Sequence, residues 1–405
     1  MTAAELERNR SGDTAGEARG LPDGSVGDSL RFVATGLLPA LARGLFAPRP
    51  RAMKWLTRLN TDKRAIKVLD SIRQKRGGEG VRLLRGKITV LWGERAIREV
   101  LDNSATRYAS DAGAKQKGMS HFQPDALTLS RGDDWRDRRK FNDAVLKDHS
   151  QDARIRDVVN DEVGRMRIDG ELRWEQWEQL FDHITLRVIF GDSARADQQL
   201  TQLLEKLMRQ ANRIAGLKRG DDYYEFYGRL ERHLANPDPY SLIARIADAP
   251  QSDRTRVVQQ IPHWIFAMRD TLGANAYRAL ALAVDRGISD LPGALREAMR
   301  LWPTTPLLAR EKVEDGSQVM ILNVFNHRDP RAPDYNEVRP EREHSYRFNH
   351  LSNGTQDCPG GPLVMLIGTA VLERVLDAYE LRYEGPSLDP VPEMLDFFEL
   401  RFSVG

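Results

Sequence analysis

A single cysteine stands among 405 residues: Cys358, within the run Gly354-Thr355-Gln356-Asp357-Cys358-Pro359-Gly360-Gly361. A lone thiol rules out an internal disulfide framework and every metal site built from several cysteines. Three roles remain: an inert buried side chain, a nucleophile, or one strong ligand to a metal. Free cysteine is among the most buried residue types, but these neighbours are poor core residues. Three glycines disfavour a core helix, and Pro359 removes a backbone donor. The apolar stretch "PLVMLIGTAVLERVL" follows at once. Cys358 therefore stands between a glycine-containing loop and a helix N-terminus, with Pro359 and Gly360 suited to the first turn. Unsatisfied N–H groups and the positive end of the helix dipole favour thiolate over thiol there. No nearby motif supplies a base for a nucleophile. The thiolate could equally be the axial ligand of a haem iron.

Three further segments carry groups that could do chemistry. In "LREAMRLWPTTPLLAR", Glu297 and Arg300 share a helix face at i, i+3 and can pair. In "VRPEREHSYRF", Arg342 lies in a proline-containing loop upstream of Cys358. In "DDWRDRRKF", Trp135 and Arg139 stand at i, i+4, where an indole N–H and a guanidinium could bind a carboxylate pair. Taken singly, each reads as an ordinary packed or solvated helix residue. His121, His263 and His350 share no metal-ligand spacing. The aromatic and arginine mixture of "DDYYEFYGRLERHL" comes with a formal net charge of only +2, which argues against nucleic acid. "WRDRRK" is either a solvated face or a docking patch for an acidic partner.

The elements that must position these groups are mostly helices. Helical patterns cover 53–76, 94–102, 133–146, 151–167, 175–190, 196–217, 221–235, 239–248, 255–285, 291–301 and 361–379. "GVRLLRGKITVLWG" reads as a β-hairpin, with Gly86 free to take positive φ. "GSQVMILNVFNHR" and "DFFELRFSV" read as short strands. Residues 1–26 hold almost no large apolar side chains, so disorder is expected there and one domain over 27–405. The fold class is mainly α with a small β portion. No signal peptide is visible, and "LRFVATGLLPALARGLF" is too short and interrupted to span a bilayer. A soluble, reducing, cytoplasmic setting follows as the expectation.

Together these segments resemble the cytochrome P-450 family of haem-thiolate enzymes over about residues 53–405. The order matches: a Trp-x-x-x-Arg helix, a long central helix, a Glu-x-x-Arg helix, a Pro-Glu-Arg loop and a Gly-x-x-x-Cys-x-Gly ligand loop. The resemblance implies a single domain of that fold with haem b, its iron held by the Cys358 thiolate. It also implies a structural ion-pair network of Glu297, Arg300 and Arg342, and propionate contacts from Trp135, Arg139 and Arg310. Gly354 and Gln356, in the ligand loop, are the remaining cofactor-binding positions that it implies. That loop departs from the family pattern, with Leu351 where phenylalanine is usual and Gln356 where a basic residue is usual. The segment before Glu297 is short.

The family's central helix carries an acid–alcohol pair that supplies protons for oxygen activation. Asp270 and Thr271 match it, although Met268 replaces a glycine. A rival register over Leu272–Ala276 keeps Gly273 and places Asn275 there instead. The implied activity is insertion of one oxygen atom into a largely apolar small molecule. Electrons would come from a separate ferredoxin and ferredoxin reductase. Pocket positions would be Phe122, Trp264, Met268, Thr305, Leu307 and Phe397. A peroxide-driven enzyme, with Arg269 anchoring an acidic substrate, and a non-enzymatic haem sensor or carrier are the alternatives.

Overall fold

The computed structural model describes residues 20–147, 152–213 and 217–405. The expected disorder over 1–26 falls mostly outside these residues. Of that segment, Gly24 donates to the Arg82 carbonyl at 2.8 Å, and a helix opens at Val26 behind a Ser25–Asp28 capping box.

The hairpin forms as alternating apolar residues demand. Strand β1 (Gly80–Leu83) pairs antiparallel with β2 (Ile88–Leu91), and Leu84, Arg85 and Gly86 all turn at positive φ. The further strands are β3 (Tyr108–Ala109), β4 (Glu171–Leu172), β5 (Leu307–Lys312), β6 (Gln318–Leu322), β7 (Leu381–Tyr383) and β8 (Phe402–Val404). One sheet runs β1-β2-β6-β5-β3 and a second β4-β8-β7. β5 was not expected. It lacks alternation of its own and exists because β6 and β3 pair with its two edges. "DFFELRFSV" splits into a 3₁₀ turn, Phe397–Glu399, and β8.

Most helices follow the periodic segments, but 239–248 holds only a 3₁₀ helix, Ile243–Asp248, the segment 196–217 is α-helical over Gln198–Ala211, and two other differences are instructive. The pattern over 53–76 is two helices, Pro50–Arg58 and Thr61–Arg76, parted where Asn60 takes φ +48°. The pattern over 255–285 becomes a central helix at 261–286 in three parts. Ile261–Phe266 and Gly273–Arg286 are α-helical, and Ala267–Leu272 between them is π-helical. A π segment takes one extra residue into the turn and frees backbone carbonyls. Just beyond it, the Trp177 indole N–H donates to the Gly273 carbonyl at 2.9 Å.

One large apolar cluster surrounds this helix. It draws on the helices Trp174–Phe190, Gln198–Ala211, Leu291–Leu301 and Gly361–Ala378. A second cluster lies between the larger sheet and Thr61–Arg76. Among the described residues no helix is long and apolar enough to cross a membrane.

Candidate active site

Cys358 is half-buried at the end of a tightly fastened loop. Its N–H donates to the Leu351 carbonyl at 2.8 Å, and its own carbonyl accepts from Gly361 N at 3.1 Å. The helix starts at Gly361 with Gly360 as its cap, so Pro359 and Gly360 precede the first turn instead of forming it. The Thr355 hydroxyl ties the loop to its neighbours, 2.7 Å from the Ser104 carbonyl and 3.2 Å from that of Leu101. Gly354 sits at φ +71°, and a Cβ there would lie 2.4 Å from the Leu101 backbone. Both facts demand glycine.

The charge state of the thiol departs from expectation. Burial pushes the Cys358 pKa up, and Asp357 adds to this. The Gly360 N–H and the cations Arg139 and Lys147 oppose it without prevailing. The helix end therefore does not by itself produce a thiolate. A metal cation at the sulfur would.

The Glu-x-x-Arg helix forms the network its spacing suggests. Glu297 and Arg300 are each 2 % exposed and pair at 2.6 Å, with Arg342 3.3 Å from the same carboxylate. Arg300 also donates to the carbonyls of His327, Tyr335 and Glu337. These three bonds tie the helix to the chain leading into the ligand loop.

The helix Gly132–Leu146 presents Arg139 to that loop. Its Nη1 donates to the Asp357 carbonyl at 2.7 Å, Nη2 to the Asp357 carboxylate at 2.5 Å and Nε to Asp143 at 2.8 Å. The guanidinium is thus engaged by protein carboxylates. Trp135 is half-exposed, and its indole N–H has no acceptor among the described residues. Within "WRDRRK", Arg138 and Arg139 are buried, so only part of that run faces outward.

Arg310, on β5, is 4 % exposed and has no carboxylate at ion-pair distance among the described residues. Its Nε donates to Ser104 Oγ and its Nη1 to the Ala309 carbonyl, each at 3.0 Å. Gln356 Nε2 is buried without a hydrogen-bond partner. A lone thiol, an uncompensated buried guanidinium and an unused amide donor are the donor set that an anionic, iron-bearing porphyrin fits.

The central helix passes this region with a distinct face. Through Ala283 most of it is buried, yet His263, Phe266, Ala267, Asp270 and Thr271 remain partly accessible. They recur at i, i+3, i+4, i+7 and i+8, one stripe along the helix. The rival position, Asn275, is 4 % exposed and directs its amide toward Thr304 at 3.4 Å. The helix following Cys358 packs on the π segment, where Gly368 leaves room for Leu272.

Asp270 is not alone. Arg269 beside it, 4 % exposed, pairs with Asp270 at 2.6 Å and also with Asp182, Glu178 and Glu205 on two neighbouring helices. Burial outweighs Arg269 and raises Asp270 to about 6, and it raises Glu178 to about 7. Nothing in the local sequence around Asp270 points to these partners, because they come from distant helices. Two expected pocket residues are core instead. The Trp264 indole donates to Asn142 at 2.7 Å and stacks on Phe141. Phe397 packs on Trp174 with ring centroids 4.4 Å apart. Phe122 and Met268 are also buried, whereas Thr305 and Leu307 retain accessibility.

No family profile matches the chain. Its structure is similar to retinoic acid-bound cyanobacterial CYP120A1, with a TM-score of 0.64 at 17% identity, covering 82% of this chain and 93% of that one. It is equally similar to CYP175A1 from Thermus thermophilus, with a TM-score of 0.64 at 17% identity over 87% of this chain and 98% of that one. Mouse cytochrome P450 4V2 is 28% identical over 126 residues, 26% of this chain, and the match spans 24% of that relative's length. The chain has the cytochrome P450 fold.

Proposed function

We propose that this chain is a haem-thiolate monooxygenase that inserts one oxygen atom into a small, largely apolar molecule. The observation that carries the reading is Cys358 itself. The single thiol of the chain ends a fastened loop, and the helix behind it packs on the π segment that bears Asp270 and Thr271.

Cys358 would be the axial ligand of haem b. Arg310 and the Trp135 indole suit its propionates. Gln356 offers an amide where a charge is usual, while Arg139 chiefly holds the loop through Asp357. The bound haem supplies the one-electron and dioxygen chemistry. The protein supplies the rest. Asp270, with its pKa near 6, can hold or release a proton close to neutral pH. The Thr271 hydroxyl next to it can pass that proton into the accessible space, and Arg269 keeps the carboxyl from turning away.

Electrons are proposed to arrive from a ferredoxin and its reductase. One cysteine in 405 residues leaves none for an iron–sulfur cluster. Retinoic acid in one structural relative agrees with an apolar substrate. Arg269 is fully engaged by four carboxylates, so the peroxide-driven reading loses the acid anchor suggested for it. Cytoplasmic placement is part of the same proposal.

The test is spectroscopic. The haem-loaded protein should show the thiolate band of the reduced carbon monoxide complex, and Cys358→Ala should abolish it. Survival of that band in the variant would sink the assignment. Turnover with ferredoxin and reductant, set against turnover with peroxide, then separates monooxygenase from peroxygenase.

A further inference from the structure

The helix over 26–42 is apolar on two sides. It runs as α over Val26–Phe32, π over Val33–Leu37 and α over Leu38–Ala42. Its inner side belongs to the fold: Phe32 joins the cluster with Ile66, Leu69 and Leu322, and a Cβ on Gly36 would lie 3.4 Å from Leu322. Its outer side carries Val26, Leu30, Ala34 and Leu38, and a spacing of four sets them one above another. All four are exposed, Val26 at 77 %, Leu30 at 64 % and Leu38 at 55 %.

The next helix, Pro50–Arg58, adds an aromatic ring and cations. Arg51, Lys54, Trp55 and Arg58 stand at i, i+3, i+4 and i+7 on one face, and all are exposed, Trp55 at 60 %. The two helices are joined: Arg49 Nη1 donates to the carbonyls of Leu41 and Ala42 at 3.3 Å each, and Arg49 N to that of Arg43 at 2.9 Å. Of the eight large apolar side chains left exposed among the described residues, five lie between 26 and 55. Charge in this stretch has one sign. The only acid over 26–58, Asp28, is buried and paired with Arg76 at 2.7 Å, whereas Arg31, Arg49, Arg51, Lys54 and Arg58 are exposed. Of these five, only Lys54 pairs with a carboxylate among the described residues, Glu399 at 2.7 Å.

An apolar line set among unpaired cations marks a contact surface, and its chemistry selects the partner. A second copy of the chain would bring the same cations against these. Residues 1–19 offer only Met1 and Leu6 as large apolar side chains, too few to cover the line and Trp55. An acidic protein patch would answer the cations and leave Val26, Leu30 and Leu38 against polar surface. An anionic bilayer answers both: leucine and valine enter the acyl boundary, while tryptophan and the cations stay at headgroup level. We propose that the chain attaches reversibly to an anionic lipid surface through the outer side of 26–42 together with Arg51, Trp55 and Arg58. The contact is peripheral, and it stands apart from the haem assignment.

The experiment floats the purified full-length chain with vesicles of phosphatidylcholine and phosphatidylglycerol in equal parts, and with vesicles of phosphatidylcholine alone. Wild type should float with the anionic vesicles, less so as salt is raised. Leu30→Ser/Leu38→Ser should bind them about a hundredfold more weakly, the effect of two leucines withdrawn from the acyl boundary. Arg51→Gln/Arg58→Gln should bind about thirtyfold more weakly, the effect of two cations near the surface. All four positions are exposed, so both variants should melt near the wild-type temperature, which ties the loss to the contact. Wild type that floats with neither vesicle overturns the proposal, and equal flotation with both removes the anionic surface from it. Loss in the arginine variant with none in the leucine variant overturns it in favour of a plain ionic contact, as an acidic protein would make. A wild-type dimer that Leu30→Ser/Leu38→Ser splits, without flotation, makes a second copy the occupant and overturns the lipid assignment.

Discussion

The proton supply rests on two adjacent side chains of unequal character. Asp270 is held by Arg269 and pushed up by burial, so both of its protonation states are accessible near neutral pH. Thr271 shares the accessible stripe, while Asn275, one turn further along the same face, is buried and reaches Thr304. Thr271→Ala should therefore keep haem and substrate binding but lower product formed per electron consumed, with more peroxide released. General acid–base groups typically contribute about 10²–10⁴-fold, and the loss should fall within that range. Asn275→Ala is the control and should leave coupling near wild type. Unchanged coupling in Thr271→Ala beside a loss in Asn275→Ala would move the proton donor one turn along the helix.

The helices and loops do their work through a few buried ion pairs. Glu297, Arg300 and Arg342 bind the helix Leu291–Leu301 to the stretch that leads into the ligand loop, and none of them touches the accessible stripe. Removing one partner of a buried pair costs about 3–5 kcal/mol, because the other charge stays buried and uncompensated. Glu297→Ala should lower the unfolding free energy by that much and yield haem-poor protein. Urea unfolding with a haem count will show it. A fully loaded, normally stable variant with only a slower rate would make Glu297 a catalytic group instead. Much of this level was visible in sequence, since i, i+3 spacing on one helix needs no tertiary information. The partners of Arg269 were not, because Asp182, Glu178 and Glu205 approach it only once three helices pack.

The whole molecule should respond to acid through histidines that it buries uncharged. His327 accepts from Asn349 N at 2.8 Å, its ring lies against His350, and burial holds both well below the usual histidine range, His350 at about 4. Between pH 6.5 and 4 the unfolded chain binds a proton at such a site that the folded chain does not. Each of these histidines therefore takes stability away as pH falls through that window and has no effect above it. Asp270 and Asp396, raised to about 6, act in the opposite direction over part of the same range. The sign is cleanest in a difference. His350→Gln should gain stability relative to wild type steadily from pH 6.5 down to 4. Denaturant titrations at several pH values will measure this. A difference independent of pH would mean that His350 is protonated in the fold.

Local pattern carried a good part of this protein. The helices 94–102, 221–235 and 291–301 stand where periodicity put them, since amphipathic spacing and end residues are properties of the chain alone. The hairpin and the fold class came the same way, as did the loop around Cys358, whose Gly354 answers to a backbone only one side chain fits. Packing decided the rest. β5 is a strand because two others border it, and the single pattern over 255–285 became a helix interrupted by a π segment, Ala267–Leu272, which periodicity alone does not announce. The thiol's charge state went against its place near a helix end, because burial outweighs one N–H group.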